Sequence, residues 1–317
     1  AIKRQNMKVN RITEQIEKSK EYGVKTYTEF ILGLPEETLD SWKEGFSKVL
    51  ECGQHESIDV WFCQLFGNTE LNSKLSREVH GIKTIKSEDY VSFGNDKDYD
   101  GVVEIIELIS ETNTMSNDEL IEAYMYGWLI VQFHIAGYTQ VIAKYFYNKL
   151  GISYRRFYDC LFNYVKENKG MLGDHYREIF TSVNHYMKTG KILDKGKHGH
   201  TLHAGSFAFM FNNKEYIFSE IEDMLISQAP MIEEWTDINY PIDPNIFHAQ
   251  RCFIFDENIT YPHAFRSNYD LDTWEDKKID YLIDTDFKNF DKNNPHEVFI
   301  LRRKGLLKNQ MKQLCTA

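Results

Sequence analysis

Between Val9 and Phe66 the chain switches between helical and strand periodicity three times, and that alternation narrows the folds open to it more than any other feature. From Val9 to Tyr22, the residues Val9, Ile12, Ile16 and Ser19 fall three and four apart with Lys, Arg and Glu between them, the pattern of an amphipathic surface helix. Gly23 follows as a stop past the last turn. The β-prone run Val24 to Leu32 then breaks at Gly33-Leu34-Pro35. A second helix is expected from about Thr38 to Glu51, with Thr38 or its neighbour as cap and Trp42, Phe46, Val49 and Leu50 on the inner face. After Cys52-Gly53 comes SIDVWFCQLF, Ser57 to Phe66, in which only Gln64 interrupts the apolar run Val60 to Leu65, as in a strand buried on both faces. Helix, strand, helix, strand with short connections is the order of a parallel sheet with crossover helices.

The pattern changes beyond about Glu88. Asp96 to Asp100 reads as a polar linker, and Gly101 to Ser110 as either a strand or the start of a helix. Asn117 to Lys149, Ser153 to Glu167 and Asp174 to Met187 read as helices rich in Tyr and Phe. After Lys191 the sequence is irregular, with short strands expected at Ser206 to Ile217, Arg251 to Phe255 and Glu297 to Arg302. Three regions follow: 1–90 α/β, 91–190 helical, and 191–317 mixed α+β.

Composition limits the partners. A formal charge of -11, from 48 acidic and 37 basic residues, disfavours phosphate backbones, so no nucleic acid is expected. The most apolar window, Ala123 to Gly137, is shorter than the roughly 20 residues of a spanning helix and carries Gln132 and His134, so it reads as a buried helix and no membrane is expected. Cys52, Cys63, Cys160, Cys252 and Cys315 are odd in number and scattered, which points to a reducing, cytoplasmic compartment rather than a disulfide framework.

The candidate chemistry sits at TEFILGLPEET, Thr28 to Thr38, where a strand ends at its carboxyl edge and a helix begins at once. Parallel sheets bind ligands at such edges, a glycine lets backbone approach a ligand, and a helix start offers amides and a positive dipole end. A tight turn with a helix cap is the other reading. His198-x-His200-x-x-His203 reads as a glycine-rich loop, a substrate-contacting loop or a metal site without a carboxylate or Cys at recognised spacing. Cys63 reads as a buried small hydrophobe or a reactive thiol, and His134 as a core histidine or one lining a substrate cavity, while Asp174-His175 and Asn184-His185 read as helix surface.

TYTEFILGLPEETLDSW resembles the fifth strand and following helix of the radical S-adenosylmethionine (radical SAM) enzymes, in particular members with an upstream cobalamin-binding domain. The family's G-x-I-x-G-x-x-E pattern, which lies against the adenine of the cofactor, stands here as Glu29-x-Ile31-x-Gly33-x-x-Glu36, with Glu29 in place of the first glycine. AIKRQN resembles the opening of the family's fourth helix and makes Arg4 the candidate for the cofactor carboxylate. IDVWFCQLFGNTEL resembles the sixth strand and its exit, pointing to Gln64, Leu65 and Phe66 beside the adenine. The resemblance covers about residues 1–85.

It implies the C-terminal part of a (β/α)6 partial TIM-type barrel in residues 1–90, with the regions beyond shaping the substrate pocket. It also implies S-adenosylmethionine, a [4Fe-4S] cluster that cleaves it reductively to a 5′-deoxyadenosyl radical, and, in cobalamin-linked members, methyl transfer. No C-x-x-x-C-x-x-C occurs in the sequence. The expectation is therefore the C-terminal fragment of a longer enzyme, inactive alone, whose N-terminal barrel half and cluster cysteines lie outside this chain. The alternative is a non-catalytic binding or assembly protein with a degenerate partial barrel.

Overall fold

The computed structural model describes residues 9–88, 105–191 and 213–227, together with residues 193, 206, 209, 210, 250, 281, 282, 302 and 303. Helix α1 (Val9–Glu21) leads to β1 (Thr28–Leu32), which α2 (Leu39–Glu51) connects to β2 (Ile58–Phe62). β1 and β2 pair in parallel, Glu29 opposite Asp59 and Ile31 opposite Trp61. Thr38 caps α2 through a reciprocal capping box with Ser41.

Both strands are shorter than their apolar runs because the end of the second run changes partner. After Phe62 the backbone turns to β4 (Ile105–Glu111): the Leu65 amide donates to the Glu107 carbonyl (2.8 Å), and the Ile109 amide to the Cys63 carbonyl (2.9 Å). The 101–110 stretch, open between strand and helix in the sequence, is thus a strand from Ile105. β4 pairs antiparallel with β3 (Lys83–Glu88), which follows a 3-10 turn (Glu70–Asn72) and α3 (Lys74–His80).

Helix α4 (Asn117–Leu129) runs without a break into a π-helical turn, Ile130–Ile135, followed by α5 (Gln140–Leu150), α6 (Tyr154–Glu167) and α7 (Met171–Thr189). The strand expected over Ser206 to Ile217 is not found at its described residues: Ser206, Phe209 and Met210 lie in helical conformation, Asn213 in a turn, and α8 (Lys214–Ser227) begins at Lys214. Its apolar residues explain the difference, since Ile217, Ile221, Met224 and Leu225 recur at helical spacing and are all buried. Two short antiparallel strands, β5 (Tyr281–Leu282) and β6 (Arg302–Arg303), complete the described elements. Arg251 to Phe255 lies outside the described residues, as does all of Glu297 to Arg302 except Arg302. The architecture is mixed α/β, mainly helical with small sheets. None of the described helices is long and apolar enough to cross a membrane.

One hydrophobic core runs from Leu32 to Leu225 and joins the sheet to the helices. Strand alternation places Phe30, Leu32, Val60 and Phe62 on one face of the sheet. Phe30 stacks on Phe46 of α2 (4.3 Å between centroids) and Phe62 on Tyr124 of α4 (4.7 Å). Trp42 of α2 donates its indole N–H to the Ala123 carbonyl of α4 (2.8 Å), so the two helices are locked side by side over that face. Glu122 of α4 bridges Lys43 of α2 and Lys166 of α6, each at 3.2 Å.

α4 comes this near because residue 127 is glycine. A Cβ there would stand 3.0 Å from Val60 Cγ2 and 3.4 Å from Phe46 Cζ. Gly127→Ala should destabilise the fold by about 1 kcal/mol, because overpacking of about 1–3 kcal/mol outweighs the helix-propensity gain of about 1 kcal/mol. Adding Val60→Ala should make the second change cheaper than in the parent, a coupling that urea unfolding of the four-member cycle would measure.

Candidate functional site

The two strands present different faces, and the candidate residues divide between them. Glu29 and Ile31 alternate away from Phe30 and Leu32, and the register sets Asp59 and Trp61 beside them on the face opposite α2 and α4. Glu29 is exposed and Ile31 is 38% exposed, whereas Asp59 is buried. This face therefore carries the exposed Glu29 carboxylate and the buried Asp59, with Ile31 and Trp61 on the same side. Among the described residues β1 has a strand neighbour on its β2 side alone.

At the carboxyl end the backbone is bent by two residues of positive φ, Gly33 (99°) and Glu36 (70°). Gly33 is buried, and the space a side chain would need is taken by Ile109 and Leu120 at 3.4 Å. Its positive φ is what favours glycine, since a Cβ would stand in ordinary contact with those side chains. Glu36 is the one non-glycine residue of positive φ among the described residues, a conformation that costs about 1–2 kcal/mol and that clusters at binding sites.

Leu34 folds over a second, smaller apolar cluster made of Cys63, Leu65, Ile82 and Ile109. This cluster floors the carboxyl end of the sheet. Within it Cys63 is 4% exposed, and burial pushes its thiol up to about 11, so it packs as a small hydrophobe. Leu65 is buried with its amide committed to β4, Gln64 is half-buried and bridges to Leu108, and Phe66 stands 60% exposed above them. Arg4 and the His198, His200 and His203 loop lie outside the described residues.

The start of α2 is less open than its position in sequence suggests. Thr38 Oγ1 accepts from the Ser41 amide (3.1 Å), Ser41 Oγ from the Thr38 amide (2.9 Å), and the Trp42 amide donates to the Thr38 carbonyl (2.9 Å). The capping box thus takes up the Ser41 amide of the first turn, and the strand face and the bend before the helix are the other features at this edge.

The sequence reading missed three contributors. Glu37, half-buried beside the bend, has its carboxyl pushed up to about 7 by burial. Thr114, in the turn after β4, donates its hydroxyl to the Glu37 carbonyl (2.7 Å) and pins the bend from 77 residues away. Asp59 shares the face of Glu29, a pairing visible only once the strand register is known. His134 is the core histidine expected from sequence, fully buried with both ring nitrogens in contact with polar groups. His175 is corrected from surface to core. It is 2% exposed, because Ser206, whose Oγ lies 2.8 Å from Nε2, and Phe209, stacked on its ring, cover that side of α7.

Glu36→Gly should leave stability unchanged or raise it by up to about 1 kcal/mol, strain relief outweighing the added chain entropy, whereas Glu36→Val should lower it by more than about 1 kcal/mol. Thermal unfolding of the two variants checks this. Glu37 gives a pH signature of definite sign. With its carboxyl near 7 in the folded protein against an ordinary 4.5, the folded state holds a proton that the unfolded state has lost between those values. Its contribution is full below about 4.5 and disappears as pH rises through 7. Glu37→Gln should remove that loss, so its stability relative to the parent should be greater at pH 8 than at pH 4.5 in urea titrations.

No sequence profile of a known family matches the chain. It is 31% identical over 164 residues to the cobalamin-dependent radical SAM methyltransferase TokK of Streptomyces tokunonensis. It is 29% identical, again over 164 residues, to the 2-(S-pantetheinyl)-carbapenam-3-carboxylate methyltransferase of Streptantibioticus cattleyicolor. Each match takes in 52% of this chain and 24% of the relative, so the aligned part spans about a quarter of those proteins' length. Over about half its length, then, the chain is similar to two methyltransferases, one of them a cobalamin-dependent radical SAM enzyme, the group that its Glu29 to Glu36 stretch resembles.

Proposed function

We propose that this chain is the C-terminal portion of a cobalamin-dependent radical SAM methyltransferase and that β1, α2 and β2 supply the last two strands of its partial barrel. The observation that carries the reading is the parallel β1–α2–β2 unit itself, with the bent Gly33 to Glu36 segment at its carboxyl end and one edge of β1 without a strand neighbour among the described residues. The missing barrel half is the partner proposed for that edge, since an apolar strand left open invites aggregation.

The residues present suit S-adenosylmethionine. Its adenine is flat, and the exposed Phe66 ring and the bent Leu34 to Glu36 backbone are the surfaces proposed to meet it. Its sulfonium and ammonium groups are cationic, and the face below carries Glu29 and Asp59. Glu29, Ile31, Gly33, Glu36, Gln64, Leu65 and Phe66 are the proposed contacts in this chain, Gly33 and Leu65 by shaping the edge and the others by facing it. Arg4 is proposed for the cofactor carboxylate. The cluster, which supplies the electron for reductive cleavage, is proposed to draw its three thiolates from outside the chain, because the five cysteines of this sequence include no C-x-x-x-C-x-x-C. No group of three or more metal-ligating side chains occurs among the described residues. Cobalamin is assigned to the preceding part, the substrate pocket to the helical region, and the setting to the cytoplasm.

The experiment is anaerobic reconstitution with iron, sulfide and cobalamin of two proteins: this chain, and this chain joined to the coding region that precedes it in its gene. The expected result is 5′-deoxyadenosine from the longer protein and none from the shorter. The product from this chain alone would refute the fragment reading. An upstream region that lacks C-x-x-x-C-x-x-C and leaves the longer protein inert would instead favour the non-catalytic binding protein.

A further inference from the structure

The turn that follows β4, Thr112 to Met115, is tied to both sides of the sheet's carboxyl end. The turn is closed on itself, the Thr112 amide donating to the Met115 carbonyl (2.9 Å), and the buried Met115 side chain anchors it in the core. Ser116 starts α4 directly after it with a capping box to Glu119, and the Asn117 side chain donates back to the Ser110 carbonyl of β4 (3.0 Å). A turn fixed in this way moves only with β4 and α4.

On one side Thr114 donates its hydroxyl to the Glu37 carbonyl (2.7 Å), directly after Glu36 with its positive φ. Glu37 precedes the cap of α2, so this carbonyl lies outside the helical ladder. Thr112 Oγ1 accepts from the Thr114 amide and stands 3.3 Å from Thr114 Oγ1, which holds that side chain in place. On the other side Asn113 crosses the end of α3, its amide donating to the His80 carbonyl (2.8 Å) and its Nδ2 to the Val79 carbonyl (2.9 Å). Gly81, at φ 58°, leaves room for it, since a Cβ there would strike the Asn113 side chain. Helix α3 in turn holds the exit from β2. Arg77 donates Nε and Nη2 to Asn72 Oδ1 (2.9 and 2.6 Å) and pairs with Glu107 of β4 (2.8 Å). Asn72 Nδ2 (3.2 Å) joins the Thr69 amide (3.2 Å) and hydroxyl (2.9 Å) on the Phe66 carbonyl.

We propose that this turn is a clasp that sets the separation of the two surfaces offered to the adenine, the Leu34 to Glu36 backbone and Phe66, with Thr114 and Asn113 as positioning residues for cofactor affinity. The inference rests on the S-adenosylmethionine reading of that edge. Neither residue touches the ligand: Thr114 acts through the bend before α2, and Asn113 through α3 and the Phe66 to Asn72 exit. A flat ring needs two walls at a fixed spacing, and a wall released from its tie must be ordered again when the ring binds, which lowers affinity. Each hydrogen bond of this kind is worth a factor of about 2–10. Because the same four residues join β4 to α4, the helical region proposed for the substrate is mechanically continuous with the cofactor edge.

Two measurements test it. Amide hydrogen exchange on the 317-residue chain should quicken at residues 34–38 in Thr114→Val and at residues 66–81 in Asn113→Ala, with Thr114→Ser close to the parent and the rest of the core unchanged. Equilibrium dialysis of S-adenosylmethionine against the longer protein of the reconstitution experiment should give a dissociation constant raised about 2–10-fold by Thr114→Val and by Asn113→Ala, and restored by Thr114→Ser. The rate of 5′-deoxyadenosine formation at saturating cofactor should stay within about twofold of the parent's, since uniform binding alone is altered. Exchange that rises evenly through the chain, or a dissociation constant that Thr114→Val leaves unaltered, would overturn the proposal. A longer parent protein that binds no S-adenosylmethionine refutes the cofactor reading instead, and the exchange pattern then decides whether the turn holds the two walls.

Discussion

The helical part of this protein is held to its sheet by the approach of α4 to β2 at Gly127, and most of the architecture depends on that distance. Any side chain at this position would press on Val60 and Phe46, and lifting α4 would separate the Phe62–Tyr124 stack and stretch the Trp42 to Ala123 hydrogen bond. The Glu122 bridge between Lys43 and Lys166 then ties α6 to the same pair of helices. With α2, α4 and α6 set, the aromatic residues of α4 are buried on nearly every side of the helix, and for this reason Ala123 to Gly137 reads as hydrophobic all round.

That arrangement leaves the other face of the sheet with a separate role. One face is fully used in packing, whereas the face carrying Glu29 and Ile31 keeps solvent contact. The bend at Gly33 and Glu36 belongs to both: Ile109 and Leu120 pack into the space beside Gly33, while Glu36 is turned outward in a strained conformation. Packing on one side thus fixes the backbone path that a ligand would meet on the other.

Much of the first 66 residues was legible because period, cap and breaker all agreed there. Thr38 is the cap that its position indicated, and Gly23 adopts the left-handed conformation that ends α1. Lys83–Glu88 was missed because KTIKSE is short and polar, and becomes a strand only by pairing with β4. Ser206 to Ile217 was misread because a few apolar residues at close spacing fit either period, and the covered surface of α7 decided the matter. His134 stands among apolar neighbours and was placed in the core, whereas His175, between Asp174 and Tyr176 with Arg177 beyond, reads as surface, since nothing local announces the residues that cover it. Within the candidate site, strand residues could be assigned by pattern, while Glu37, Thr114 and Asp59 required contacts between distant segments.

Two helices in this fold begin on side chains that come much later in the chain. Gln250 accepts from the Val141 and Ile142 amides at the start of α5 and donates to the Gly137 carbonyl, and Glu220 accepts from the Met171 and Leu172 amides at the start of α7. Since Thr139 and Gly170 supply no side-chain cap of their own, these starts are incomplete until the later residues arrive. On the ribosome, α5 would emerge with its first amides bare and wait for a glutamine 109 residues downstream of Val141. The helical region therefore matures late in synthesis, and a stalled or shortened chain would be left with a core whose helices are present but not yet fastened at their origins.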